Sequence, residues 1–248
     1  TEAYNRVSFT RILGIPSGMS AVSNSSAMSV GARSILIGLG APDTNELASV
    51  TDDVNKALFA KDWDGALAAL EPLENYAWAQ AIRGAIALHN GQFKEGIVWL
   101  DNYAKTAQDE LSSEWAKTFP ISFAEILVEN DGKIDYIFSH NTVADGIFLL
   151  NEYLKLNPGN EVAVKKLDWA WNAIKEGSPE TISILESVHN NAATQDISGK
   201  SLLVIAHCYF FNGEYSKAEK VANDIITSNA DDKIKLDAKM VIKSINRF

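Results

Sequence analysis

The chain has 248 residues, 46% hydrophobic and 22% charged, a balance that excludes collagen-like, mucin-like and wholly disordered polymers. Its 22 Lys and Arg against 32 Asp and Glu give a formal net charge of −10, which sets it against phosphate backbones and anionic lipid surfaces, so no nucleic-acid partner is expected. One cysteine, Cys208, rules out an internal disulfide and leaves a structural zinc site without its usual thiolates.

Residues 1–45 read as a non-repeat arm. Between residues 12 and 42 the only charged side chain is Arg33, and serines and glycines dominate, including Ser17, Gly18, Ser23, Ser25, Ser26, Gly31, Gly38 and Gly40. Such a stretch has low helical propensity and no clear period, so loops with one short helix around residues 27–37 are expected, laid on the domain or on a partner. The apolar run at 27–40 contains Arg33 and is shorter than the ~18 residues of a membrane span. The sequence opens on Thr1 rather than Met, as a processed chain or a piece of a longer one does, and the compartment stays open.

From residue 46 to residue 248 the pattern turns helical and repetitive. One unit recurs: a helix, a turn with Gly or Asn, an aromatic or apolar residue two places on, and an amphipathic second helix. A first copy is AKDWDGALAALEPL, with Trp63 in the aromatic place and Ala66 in the small one. The clearest copy is LHNGQFKEGIVWLDNYAK, where Ile97, Leu100 and Tyr103 recur at helical spacing and bury one face. Pro120 then predicts a helix break. The following AEILVENDGKIDYIFS reads either as a β-hairpin about Asn130-Asp131-Gly132 or as two helices with Gly132 at the turn, and the helical context favours the second. NTVADGIFLLNEYLKLNPGN ends in a helix-stopping Asn157-Pro158-Gly159. WNAIKEGSPETISILESV offers Gly177 as a turn, Ser178 as an N-cap and Pro179 as the first helical residue. YFFNGEYSKAEKVANDIITSN repeats the clearest copy, with Gly213 for Gly91, Tyr215 for Phe93 and Ala218 for Gly96. The last stretch puts Ile234, Ala238, Val241, Ile242 and Ile245 on one face and lysines on the other, as a cap helix would.

Gly84, Gly91, Phe93, Gly96 and Leu100 form a small–turn–aromatic–small–large frame, and Ala206, Tyr209, Gly213, Tyr215 and Ala218 form it again. This frame resembles the tetratricopeptide repeat, and Pro158 stands where that family ends a helix with proline. The turn marks at Lys61, Gly91, Asn141, Gly177 and Gly213 depart from the family's period of about 34 residues, most of all between Gly91 and Asn141. The resemblance implies an all-α fold, a right-handed superhelix of stacked antiparallel helix hairpins. It implies a groove lined by the first helix of each unit, with Trp78, Ala81, Ala85 and Leu88 in one, Leu167, Asp168 and Trp171 in a later one, and Lys200, Leu203, His207 and Phe210 in the last. Lys200 alone does not make the paired-lysine clamp that grips a peptide carboxylate in that family.

No catalytic constellation stands out. The four histidines, His89, His140, His189 and His207, lack metal-ligand spacing, and His207 and Cys208 point about 100° apart on a helix. ILIGLGAPD holds a GxG without the third glycine or a βαβ unit, and no Walker lysine follows a glycine loop. The carboxylates sit beside helix starts, where the free amides and the dipole favour them. Six tryptophans are many for this length, and Trp169 and Trp171, two apart, cannot share a face. These signs point to a non-enzymatic binding or assembly subunit whose partners are other proteins, without catalytic residue, metal or cofactor. An exported solute- or glycan-binding protein on the same scaffold is the alternative. An enzyme would have Asp168 and His207 as its acid–base pair.

Overall fold

In a computed structural model, the described residues are 53–54, 56–57, 60, 62–73, 77–107, 110–130, 142–174 and 177–247. The expected arm at 1–45 lies outside them, as do Gly132, His140 and the side chain of Trp78. The described residues are all-α, with no strand among them. The helices are α1 (Trp63–Leu70), α2 (Ala77–His89), α3 (Phe93–Thr106), α4 (Glu110–Asn130), α5 (Val143–Leu156), α6 (Glu161–Trp171), α7 (Pro179–Asn190), α8 (Gln195–Phe211), α9 (Tyr215–Thr227) and α10 (Asp232–Ile245), with a 3₁₀ turn at Glu71–Leu73. The described residues divide into two compact units, one ending at Pro120 and the other beginning at Ile121.

Local chemistry fixes the helix ends. Asp62, Asn160, Ser178, Thr194 and Asp231 each accept a hydrogen bond from a first-turn amide. Such caps contribute about 1 kcal/mol apiece. Ser178 and Pro179 occupy the N-cap and first helical positions that the sequence assigns them. Thr142 and Asp145 exchange hydrogen bonds at 3.1 and 3.0 Å, a reciprocal capping box that opens α5.

In the first unit α2 and α3 form an antiparallel hairpin. A Cβ at Gly84 would stand 2.9 Å from the Gly96 carbonyl, and one at Gly96 equally far from that of Gly84, so two glycines let the backbones meet. Leu88 and Leu100 close over this crossing, with Ile86, Ile97 and Tyr103 buried around it. The indole of Trp63 stacks on the buried His89 ring at 5.4 Å.

In the second unit each helix packs on its neighbour or on the next but one: α5 on α6 and α7, α7 on α8, α8 on α9 and α10, and α9 on α10. The α8–α9 turn reproduces the α2–α3 turn. Gly91 and Gly213 both have φ +76°, and the amides of Gln92 and Glu214 reach back to Ala87 and Tyr209 at 2.9 and 2.8 Å. This is the same glycine-ended helix stop twice, and it carries Ala206 and Ala218, both wholly buried, where the first hairpin has Gly84 and Gly96. Ile225, Ile234, Ala238 and Val241 complete that core, as the C-terminal pattern predicts.

One expectation changes. α4 runs through Pro120 without a break. The missing amide removes one helical bond, but Phe119, Ile121, Phe123 and Ala124 around it are buried, and that burial outweighs the loss. Ala124–Asn130 is therefore helical rather than the first strand of a hairpin. Gly177 lies in the connection between α6 and α7, as its turn reading expects. It is buried against Cys208, and the helix it precedes, α7, packs on α5 and α8.

Candidate functional site

Three helix segments of the second unit lie side by side: the end of α4, α6 and α8. Lys166 of α6 pairs with Glu125 of α4 and sits 5.6 Å from the Trp169 ring centre. On its other flank α6 presents Asp168 to Lys200 of α8 at 2.8 Å, and Lys200 also holds Asp196 at 2.9 Å. Burial alone would lower the Lys200 pKa, but the hydrogen bonds and charges of the two aspartates outweigh it and raise the value. The lysine expected as a groove cation is thus neutralised within the fold.

Below this ion pair, α6, the Gly177 segment and α8 enclose a pocket of about 210 Å³, lined by Trp171, Ile174, Gly177, Val204, His207, Cys208 and Phe211. Its floor is held from two sides. Gly177 lies so near Cys208 that no side chain fits between them, and the Asn212 amide donates to the Gly177 carbonyl at 2.7 Å. Burial lowers the His207 pKa, opposed by the charge of Asp237 on α10, and burial raises that of Cys208. Imidazole and thiol are therefore both neutral at pH 7, and the lining carries no charge. The buried Nε1–H of Trp171 has no hydrogen-bond partner among the described residues. At the rim Phe211 is 74% exposed, and it meets Phe210 edge-on at 5.6 Å.

Of the residues the resemblance implied, Trp171 and His207 line this pocket together, Phe210 braces its rim, and Asp168 and Lys200 form the ion pair above it. Leu88 and Leu167 are buried core residues, as are Ala81 and Ala85, and offer no surface. Trp169 and Trp171 diverge as their spacing requires, Trp169 being 40% exposed outside the pocket. Asp168 and His207 do not form an acid–base pair: Asp168 is engaged with Lys200, and the charge acting on His207 is that of Asp237.

Sequence reasoning missed Phe211, because helical spacing alone gives either Phe210 or Phe211 to the groove. It also missed a contact between α7 and α8, where Ser198 Oγ lies 2.8 Å from His189 Nδ1. Nine positions apart in the chain, the two meet only because a short turn joins the helices. The contact ties α7 to α8, and no carboxylate is bonded to His189 among the described residues.

Among the described residues no group of His, Cys, Asp and Glu is arranged to hold a metal ion, and no helix is long and apolar enough to cross a membrane. Comparison of the chain with protein-family models, with curated proteins and with solved structures found no match.

Proposed function

We propose that the chain is a non-enzymatic assembly subunit, a tetratricopeptide-like array of stacked hairpins that binds another protein through the pocket between α6 and α8. The observation that carries this reading is Phe211: a large aromatic ring, 74% exposed, at the mouth of an uncharged pocket. Exposed aromatics beside a pocket are what binding hot spots are made of, because they bury much area at low entropic cost. The twice-repeated glycine turn and small–small crossing support the repeat reading, since such hairpins hide their apolar faces only by stacking.

Size separates this from the glycan-binding alternative. Small-ligand sites usually enclose roughly 300–1,000 Å³. A pocket of about 210 Å³ is suited to one inserted side chain.

The test is affinity isolation of the tagged chain from its native source. A stoichiometric protein partner is expected, lost on Phe211→Ser and retained on Val98→Ser, a control at an exposed residue of α3. A chain isolated without a partner, or a complex indifferent to Phe211→Ser, would contradict the proposal.

A further inference from the structure

A helix that packs one face on a core needs only a polar outer side. α10 departs from this. It buries Ile234, Ala238 and Val241, yet Leu236 and Met240, one helical turn apart, are 60% and 53% exposed. At 100° per residue Lys233, Leu236, Met240 and Lys243 fall on one stripe roughly 15 Å long, with Lys239 beside it and Arg247 just past its end. An apolar pair is thus flanked mainly by cations, with Asp232 and the half-buried Asp237 at the edges of the stripe.

Those cations are free. Lys105, Lys155, Lys166, Lys200 and Lys217 each pair with a carboxylate, whereas Lys233, Lys239, Lys243 and Arg247 have no ion pair among the described residues. Lys117, Lys220 and Lys235 also lack an ion pair among the described residues, but in a chain whose formal net charge is −10 most of these cations lie on or just past α10. Scattered lysines would keep such a helix soluble without the two exposed apolar side chains between them.

We propose that this face of α10 docks an acidic amphipathic helix of a second protein. Two apolar residues four apart would interdigitate with Leu236 and Met240, and flanking carboxylates would pair with Lys233, Lys239 and Lys243. Charge complementarity selects this occupant. A second copy meeting through the same face would set lysine against lysine. An anionic bilayer would draw the rest of an acidic surface against like charge. The face is separate from the α6–α8 pocket, so it stands whether or not the pocket binds a partner.

The probe is a fluorescein-labelled sixteen-residue peptide, alanine-based, with two leucines four apart flanked by glutamates, titrated against the whole chain. Its counterpart has lysine for every glutamate. The glutamate peptide is expected to bind in low salt, to weaken as salt rises, and to lose about tenfold or more in affinity with Lys233→Glu/Lys243→Glu and with Leu236→Ser/Met240→Ser. The lysine peptide should not bind, and Lys165→Glu on α6 should leave binding unchanged. The altered side chains are exposed, so far-ultraviolet circular dichroism should match the wild type. Absence of binding, equal binding by all variants, self-association abolished by Leu236→Ser, or binding to phosphatidylserine vesicles as strong as to the peptide would each overturn the proposal.

Discussion

Gly177 and Cys208 are in backbone-level contact: a Cβ placed on Gly177 would stand 2.2 Å from the Cβ of Cys208 and 2.8 Å from its Cα. The approach holds the segment before α7 against α8 and forms the floor of the pocket. Because the clash involves the Cα, truncating Cys208 cannot relieve it. Gly177→Ala should therefore destabilise the second unit by about 2 kcal/mol, as overpacking of a dense site does. The lower urea midpoint should persist in Gly177→Ala/Cys208→Ala. A midpoint within error of the wild type would show that the two segments separate freely.

Glycines with different roles should respond differently. Gly159 has open space and an ordinary φ, so Gly159→Ala should stabilise by about 0.5 kcal/mol through the unfolded chain. Gly213 has open space too, but its φ is +76°, and Gly213→Ala should cost about 1 kcal/mol. Chemical denaturation of the pair checks this, and changes of the same sign would contradict the turn assignment.

Lys200 links α6 to α8 through Asp168 while holding Asp196 on its own helix. Lys200→Gln leaves two carboxylates facing each other and should cost about 1 kcal/mol, less in high salt. Since the folded pKa lies above the ordinary 10.5, the contribution is whole below pH 10.5 and is lost as pH rises through the folded value. The difference in stability between wild type and Lys200→Gln should thus hold steady from pH 6 to 9 and shrink above pH 10.5. A gap that closes already by pH 9 would refute the assignment.

His207 behaves in the opposite sense. Burial holds its pKa below the ordinary 6.5, so the unfolded chain takes up the proton first as pH falls. The stability it contributes is whole above pH 6.5 and is lost as pH falls through the folded value. Nuclear magnetic resonance should find its titration below 6.5, and Asp237→Asn should move it lower still, because that carboxylate is the group raising it. An upward shift in Asp237→Asn would show that the two residues do not face each other.

The local features of the fold were legible because they rest on short-range chemistry. Ser178 and Pro179 mark a helix start by hydrogen bonding, Gly91 and Gly213 mark helix stops by backbone conformation, and Ile97, Leu100 and Tyr103 mark a buried face by period. What misled depends on packing. Pro120 weakens a helix in isolation, yet buried neighbours keep α4 continuous. Gly177 stands between two helices as read, but the sequence does not disclose that Cys208, a helix and a loop away, needs its space. Part of the site was implied by the tetratricopeptide resemblance, which put Trp171 and His207 in a groove, whereas the partnership of Asp168 with Lys200 and the outward turn of Phe211 follow from how α6 and α8 sit together.

The central claim is that a partner's side chain enters between α6 and α8. Hydrogen–deuterium exchange of the chain, free and in the complex isolated from its native source, tests this most directly. Protection should concentrate in peptides covering residues 168–177 and 203–211. Unchanged exchange in both, with protection elsewhere, would contradict it.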